Sequence, residues 1–232
     1  MRYAGDSSLT LWGRDPARLE AVAARCRGLG ASVETRILDL TDAAGVAPAL
    51  LADDARSAID VAIFNAGLGG VTRRGDAAED PARSLSVALV NFASVVAGAN
   101  AVAARMAARG AGKIVIVSSV ADSIPLPMAP TYAGSKAGLK MFATSLRVSL
   151  RRHGLCVTLV APGFVDTPMS ASLKAPRPFL VSAEAAATII AEGVARGKAE
   201  IAFPWPFALA RALIPRLPRF LQEALLAWAP KG

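Results

Sequence analysis

Histidine is nearly absent from the 232-residue chain and cysteine is scarce: His153 stands alone, and Cys26 and Cys156 form no CxxC pair. One imidazole excludes a His-based metal centre, and two distant thiols supply neither a disulfide framework nor a cysteine zinc site, so no metal is expected. Such cysteine usage reads as a reducing, cytoplasmic setting. Acidic residues are also few. Asp+Glu number 18 against 26 Lys+Arg, a formal net charge of +8. The excess favours anionic ligands, but no binding motif or aromatic–basic platform points to nucleic acid, which is not expected as a partner. The N-terminus lacks the apolar stretch of a signal peptide. What the chain has is apolar bulk, 53% of its residues, ample for a sizeable core.

The longest uncharged run lies between Arg83 and Arg105. Its length would suit a membrane span. Ser84, Ser86, Asn91, Ser94 and Asn100 are costly in lipid, however, and the run is expected to be a long helix buried between a sheet and a neighbouring subunit. A C-terminal segment mixes Trp205, Phe207, Leu209, Leu213, Leu217, Phe220 and Leu221 with Arg211, Arg216 and Arg219. Peripheral membrane contact of that segment is an alternative to the favoured reading, a packing helix pair or lid.

Short apolar runs alternate with longer helical patterns. Strands are expected at Leu9–Trp12, Val33–Leu38, Val61–Asn65, Lys113–Ser118, Cys156–Ala161 and Glu200–Phe203. Between them lie helices: one capped by Asp15 with Pro16 at its first position, then Asp42–Ala55, Pro81–Arg109, Thr131–Arg152 and one starting at Ser182. Pro162–Val181 reads as a proline-rich loop. Continuous apolar strands are buried on both faces. The fold class is therefore α/β, a doubly wound, three-layer parallel sheet of Rossmann-like type, with residues 1–232 as a single domain and 204–232 as a C-terminal helical extension. Ligands of such sheets bind beyond the carboxyl ends of the strands.

Those ends carry Gly13-Arg14, Asp39, Asn65-Ala66-Gly67, Ser118-Ser119 and Pro162-Gly163. The helix after the fourth carries Tyr132 and Lys136, spaced i,i+4 on one face. Each is weak alone: a Tyr-x-x-x-Lys is commonly a solvated face and an Asn-Ala-Gly commonly a turn. Their coincidence in one order carries the weight.

In that order the chain resembles the short-chain dehydrogenase/reductase family, from about Leu9 to Phe203, on Asp39, Asn65-Ala66-Gly67, Asn91, Ser119, Tyr132, Lys136 and Pro162-Gly163 through Thr167; Ser119 precedes Tyr132 by 13 residues, the family's usual spacing. The resemblance implies an NADP-dependent oxidoreductase that moves a hydride between nicotinamide and a carbonyl or alcohol. Tyr132 would be general acid and base. Lys136 would lower the tyrosine's pKa, ordinarily near 10, and bind the nicotinamide ribose. Ser119 would be the second donor to the substrate oxygen, with Ser118 as its structural rival, and Asn91 would hold a relay water, or else be a core polar group bonded only to backbone. Asp39 would bond adenine, unless it only caps a helix, and Leu40 would flank the ring. Asn65, Ala66 and Gly67 would line the adenine ribose. Pro162, Gly163, Val165 and Thr167 would meet the carboxamide end. Gly13-Arg14 leaves room and a bidentate donor for a 2′-phosphate, so NADP is expected over NAD.

Ile124, Pro125, Met128, Phe164 and Met169 would line a pocket for a lipophilic small molecule, with Pro168–Val181 as a mobile lid. Pairing of the long helices would give a homodimer or homotetramer. The alternative is a non-catalytic or truncated relative acting through association.

One departure stands out. The family's opening strand and Gly-rich turn, which seat the pyrophosphate, have no counterpart: the chain opens at Arg2-Tyr3-Ala4-Gly5-Asp6, and Gly67-Leu68-Gly69-Gly70 follows the wrong strand to replace them. Two explanations are open, a start upstream of Met1 or a decayed or repurposed chain. Either way the sheet would lose an inner ladder partner. The 232-residue chain is expected to bind NADPH weakly or not at all; a fluorescence titration that saturates tightly would contradict this.

Overall fold

The computed structural model describes residues 3, 5, 7–69, 76–173 and 176–227. Gly70, residues 174–175 of the expected lid, residues 228–232 of the C-terminal extension, and Arg2, Ala4 and Asp6 of the chain's opening lie outside the described residues.

The strongest β signal, the β-branched run Ile114-Val115-Ile116, forms the middle of β4 (Gly112–Val117), and all three side chains are fully buried. Burying a side chain of this size contributes about 1.5–3 kcal/mol. β4 lies between β3 (Val61–Phe64) and β5 (Leu155–Pro162), and β5 pairs with β6 (Glu200–Phe203), all parallel. β1 (Ser8–Gly13) and β2 (Ser32–Ile37) form a separate parallel pair. Among the described residues no ladder joins the two sheets, so β1 and β3 each pair with a single strand.

Helices fill the crossovers, and their starts follow local capping chemistry. Asp15 accepts from Arg18 N–H at 3.0 Å ahead of α1 (Pro16–Arg27), Asp42 from Gly45 N–H at 3.2 Å ahead of α2 (Ala43–Arg56), and Asp80 from Arg83 N–H at 2.7 Å ahead of α3 (Pro81–Ala88). The long helix continues through one π turn, Leu89–Ala93, into α4 (Ser94–Arg109). Then come α5 (Pro130–Leu150), the short α6 (Pro168–Ala171), α7 (Ala183–Ala195), α8 (Trp205–Leu213) and α9 (Arg219–Ala227). The expected element boundaries agree to within one or two residues. Among the described residues of Pro162–Val181, Thr167 and Ser170 form a reciprocal cap that starts α6, and Val165 bridges Val181 in parallel, structure that the expected loop did not include.

The run Pro81–Arg109 is long and apolar enough to cross a membrane, yet half of its apolar window is buried in the fold. Val95, Ala99, Val102, Ala103 and Met106 of α4 pack into the main core with Ile114, Ile116, Leu139 and Leu159. Gly98 permits this approach, since a Cβ there would come 2.7 Å from Phe64 and 2.9 Å from Leu50.

Two buried carboxylates of α2 tie the layers together. Asp53 accepts from Trp12 Nε1 at 2.9 Å and Arg36 Nε at 3.1 Å, joining the β1–β2 pair to α2. Asp54 accepts from Arg105 Nε and Arg109 Nη1, both at 2.9 Å, and from Ile59 N–H at 3.0 Å, joining α2 to α4. Burial alone would raise the Asp54 carboxyl, but these donors outweigh it and hold the pKa at about 2. A depressed carboxylate stabilises the fold above its unfolded pKa of about 3.9, and that stabilisation is lost as pH falls through the folded value. Asp54→Asn is therefore expected to cost about 1–3 kcal/mol at neutral pH, seen as a lower Tm, with the gap to the parent chain closing as pH drops from about 4 toward 2.

Candidate active site

The carboxyl ends of β3, β4 and β5 open on one side, and the helices behind them bring Asn91, Ser119, Tyr132 and Lys136 into one cluster. β4 ends at Val117, whose carbonyl accepts from Lys136 Nζ at 3.0 Å. Ser118 is buried and donates to the Lys136 carbonyl at 3.2 Å, so it joins strand to helix as a structural hydroxyl. Ser119 is partly exposed, accepts from Ala121 N–H at 3.2 Å and caps a 3-10 turn, Val120–Asp122. Its hydroxyl is close enough to the Tyr132 phenol to draw the phenol's pKa down. Of the two serines, the one matched to the family faces the tyrosine.

Lys136 is almost wholly buried, and its ammonium lies 5.7 Å from the centre of the Tyr132 ring. Burial lowers its pKa to about 8, opposed by the Asp122 carboxylate. Tyr132 moves the other way. Burial raises its pKa, the Ser119 hydroxyl pulls it down, and the Asp122 charge pushes it up again. The net shift of the phenol is upward because its desolvation dominates.

Asn91 is fully buried inside the π turn. Its Nδ2 donates to the Leu68 carbonyl at 2.9 Å and to Ser135 Oγ at 3.3 Å, and its Oδ1 accepts from Leu68 N–H at 2.7 Å. A π turn shifts the helix register locally, a feature that gathers at functional sites. Here it delivers an amide side chain to the loop after β3. In that loop a Cβ on Gly67 would sit 3.4 Å from Asn91 Oδ1 and 3.7 Å from Lys136 Nζ. Both are ordinary contact distances, so Gly67 borders the asparagine and the lysine without being forced to be glycine there. Asn65 and Ala66 are exposed beside it. Across the opening, Met169 Cγ of α6 lies 3.6 Å from the Cβ position of Gly69, so the loops after β3 and β5 face each other.

The remaining expected residues lie farther out or are engaged locally. Thr167 is the cap of α6, its Oγ1 accepting from Ser170 N–H at 3.3 Å and donating to the Val165 carbonyl at 3.4 Å. Pro162 ends β5, and Gly163 lies under Phe207, whose ring a Cβ would meet at 2.5 Å. Arg14 and Asp39 are exposed beyond β1 and β2. Asp39 Oδ1 accepts from Thr41 N–H and Oγ1, both at 2.9 Å, while Asp42 caps α2, and the Thr41 bonds followed by the Arg14 charge hold the Asp39 pKa low. Leu40 is partly exposed between them.

Two charged residues enter the site that the sequence reading did not place there. Asp122 lies in the turn capped by Ser119, close enough to influence both Tyr132 and Lys136. Arg211 of α8 grips it, with Nε to Oδ1 at 2.6 Å and Nη2 to Oδ2 at 2.9 Å. Proximity to Ser119 could have flagged Asp122; no spacing rule reaches Arg211.

The short chain dehydrogenase family pattern matches residues 3–178. An uncharacterized oxidoreductase of Myxococcus xanthus is 34% identical over 213 residues, covering 91% of this chain and 83% of the relative. Another, from Mycobacterium tuberculosis, is 30% identical over 222 residues, covering 93% and 87%. Among solved structures, a short-chain dehydrogenase from Sphingobium yanoikuyae in complex with NADPH superposes with a TM-score of 0.81 at 26% identity, covering all of this chain and 90% of that one. With the Ser119, Tyr132 and Lys136 cluster at the strand ends, these likenesses establish that the chain belongs to the short-chain dehydrogenase/reductase family, nicotinamide-dependent oxidoreductases of small molecules.

Proposed function

We propose that the chain catalyses NADP-dependent reduction of a carbonyl compound, or oxidation of the matching alcohol, with Tyr132 as general acid and base. The observation that carries this reading is the Lys136 ammonium 5.7 Å from the centre of the Tyr132 ring, with the Ser119 hydroxyl near enough to act on the phenol. Bound nicotinamide supplies or accepts the hydride. The protein handles the oxygen. A carbonyl gaining hydride develops negative charge, which Ser119 and Tyr132 stabilise by donating hydrogen bonds, Tyr132 then giving up its proton. A phenol whose pKa is raised stays protonated at neutral pH and is suited to donating that proton, which favours reduction there. The Lys136 ammonium stabilises the phenolate left behind. Asn91, linked to Leu68 and Ser135 beside the lysine, is the residue through which a relay water would be held.

Gly67, Asn65 and Ala66 on one side and Pro162, Gly163, Val165 and Thr167 on the other would hold the cofactor, with Asp39 and Leu40 toward adenine. Arg14 at the end of β1 offers a guanidinium for a 2′-phosphate, and the Sphingobium relative carries NADPH. Ile124, Met128, Phe164 and Met169 favour an apolar substrate. Met141 and Val148, large and well exposed on α5, support association of copies through the long helices.

Tyr132→Phe is expected to lower kcat by about 10²–10⁴-fold at near-saturating NADPH while leaving circular dichroism and Tm unchanged. Full activity in that variant would remove the tyrosine from the mechanism, and absence of turnover in both proteins would favour the associative alternative. The lysine sets a second expectation. Its ammonium is lost as pH rises through about 8, so reductive kcat/KM should be flat below that pH and fall roughly tenfold per unit above it.

A further inference from the structure

α8 reaches both walls of the site with two side chains one helical turn apart. Phe207 packs edge-on against Phe164 with ring centres 5.8 Å apart and against Phe179 at 5.9 Å, covering the loop after β5. Arg211, four residues on and 6% exposed, enters the serine wall. Its fork holds both oxygens of Asp122, whose side chain is wholly buried, and its remaining arm pairs with Glu200 at the start of β6. Of the three arginines in the C-terminal segment, the structure buries Arg211 and leaves Arg216 and Arg219 exposed.

Asp122 is not a remote anchor. Its N–H donates to the Ser119 carbonyl at 3.0 Å, closing the turn that Ser119 caps. Its Oδ1 also accepts from Ser123 Oγ at 2.7 Å, and Ser123 in turn accepts from Lys140 Nζ at 2.6 Å. The charged groups around Tyr132 are therefore Lys136 on its own helix, with Glu79 accepting from Thr131 at that helix's start, and Asp122 from the turn, with Lys140, Arg211 and Glu200 behind it. Asp122 is the anion among them that acts on both the phenol and the ammonium.

We propose that Arg211 is a positioning residue of the reaction: through its two-pronged grip on Asp122 it fixes the turn that carries Ser119 and neutralises the Asp122 carboxylate. The proposal rests on the Tyr132 reading above. It makes α8 part of the active site without contact to substrate, and it predicts that the effect of Arg211 passes through Asp122 alone.

The chain has two tyrosines, so a Tyr3→Phe background leaves Tyr132 as the sole phenol. Its ionisation can then be followed by tyrosinate absorbance after a pH jump, with neither cofactor nor substrate present. Arg211→Met is expected to move the midpoint upward, because an Asp122 carboxylate without its counter-ion opposes the phenolate; Asp122→Asn/Arg211→Met should bring it back to the parent value or below. An unmoved midpoint in folded Arg211→Met overturns the proposal. Arg211→Lys keeps the charge but loses the fork and covers the case in which the Met variant does not fold. In the NADPH-loaded enzyme it should lower kcat about ten- to a hundredfold when Asp122 is present and have little effect in an Asp122→Asn background. Equal losses in both backgrounds would mean a merely structural role for Arg211. Turnover retained by Tyr132→Phe would sink the tyrosine reading instead, while the cofactor-free titration would still report on Arg211.

Discussion

Everything in this structure hangs on β4. It is paired on both sides, its central side chains are fully buried, and it cannot shift without breaking two ladders. That rigidity is passed to the chemistry at its end, where the Val117 carbonyl fixes the Lys136 ammonium, Ser118 bonds the helix backbone and Ser119 begins the turn beside Tyr132. A parallel strand places its last residues at the sheet edge where ligands enter, so the most immobile element also carries the most exacting groups.

Burying those groups has a cost that the surroundings offset one by one. Asn91 satisfies its amide on the Leu68 backbone and Ser135. Lys136 loses solvation and titrates near 8, yet keeps a backbone carbonyl as acceptor. Asp122 is tolerated because Arg211 meets it with two donors. No buried side-chain nitrogen or oxygen among the described residues lacks a partner. A site dense in polar groups therefore sits in an apolar sheet without orphaned charge, which is the condition for keeping such a cluster in one arrangement.

The split between the two sheets is the main irregularity. The β1–β2 pair, which carries Arg14 and leads to Asp39, is joined to the rest through Asp53 and α2 rather than through a backbone ladder. The nicotinamide end and the adenine end of the expected cofactor site are thus held by different means, one by a continuous four-stranded sheet and the other by side-chain bonds across a helix.

Local chemistry wrote much of this into the chain. Apolar runs marked the strands, Asp15 and Asp42 marked helix starts, and the order of Asn65-Ala66-Gly67, Ser119, Tyr132 and Lys136 marked the family, because each depends on near neighbours or on the shared strand-end geometry. Three features needed the folded chain. The π turn that turns Asn91 inward has no periodic signature. The bond that ties Ser118 to the Lys136 carbonyl of α5 had no signal in the spacing. The direction in which Tyr132 titrates, and the pairing of Asp122 with Arg211 far along the chain, depend on burial and on the meeting of elements distant in sequence. Spacing along a chain encodes local geometry, whereas desolvation and long-range charge pairing exist only once the layers have closed.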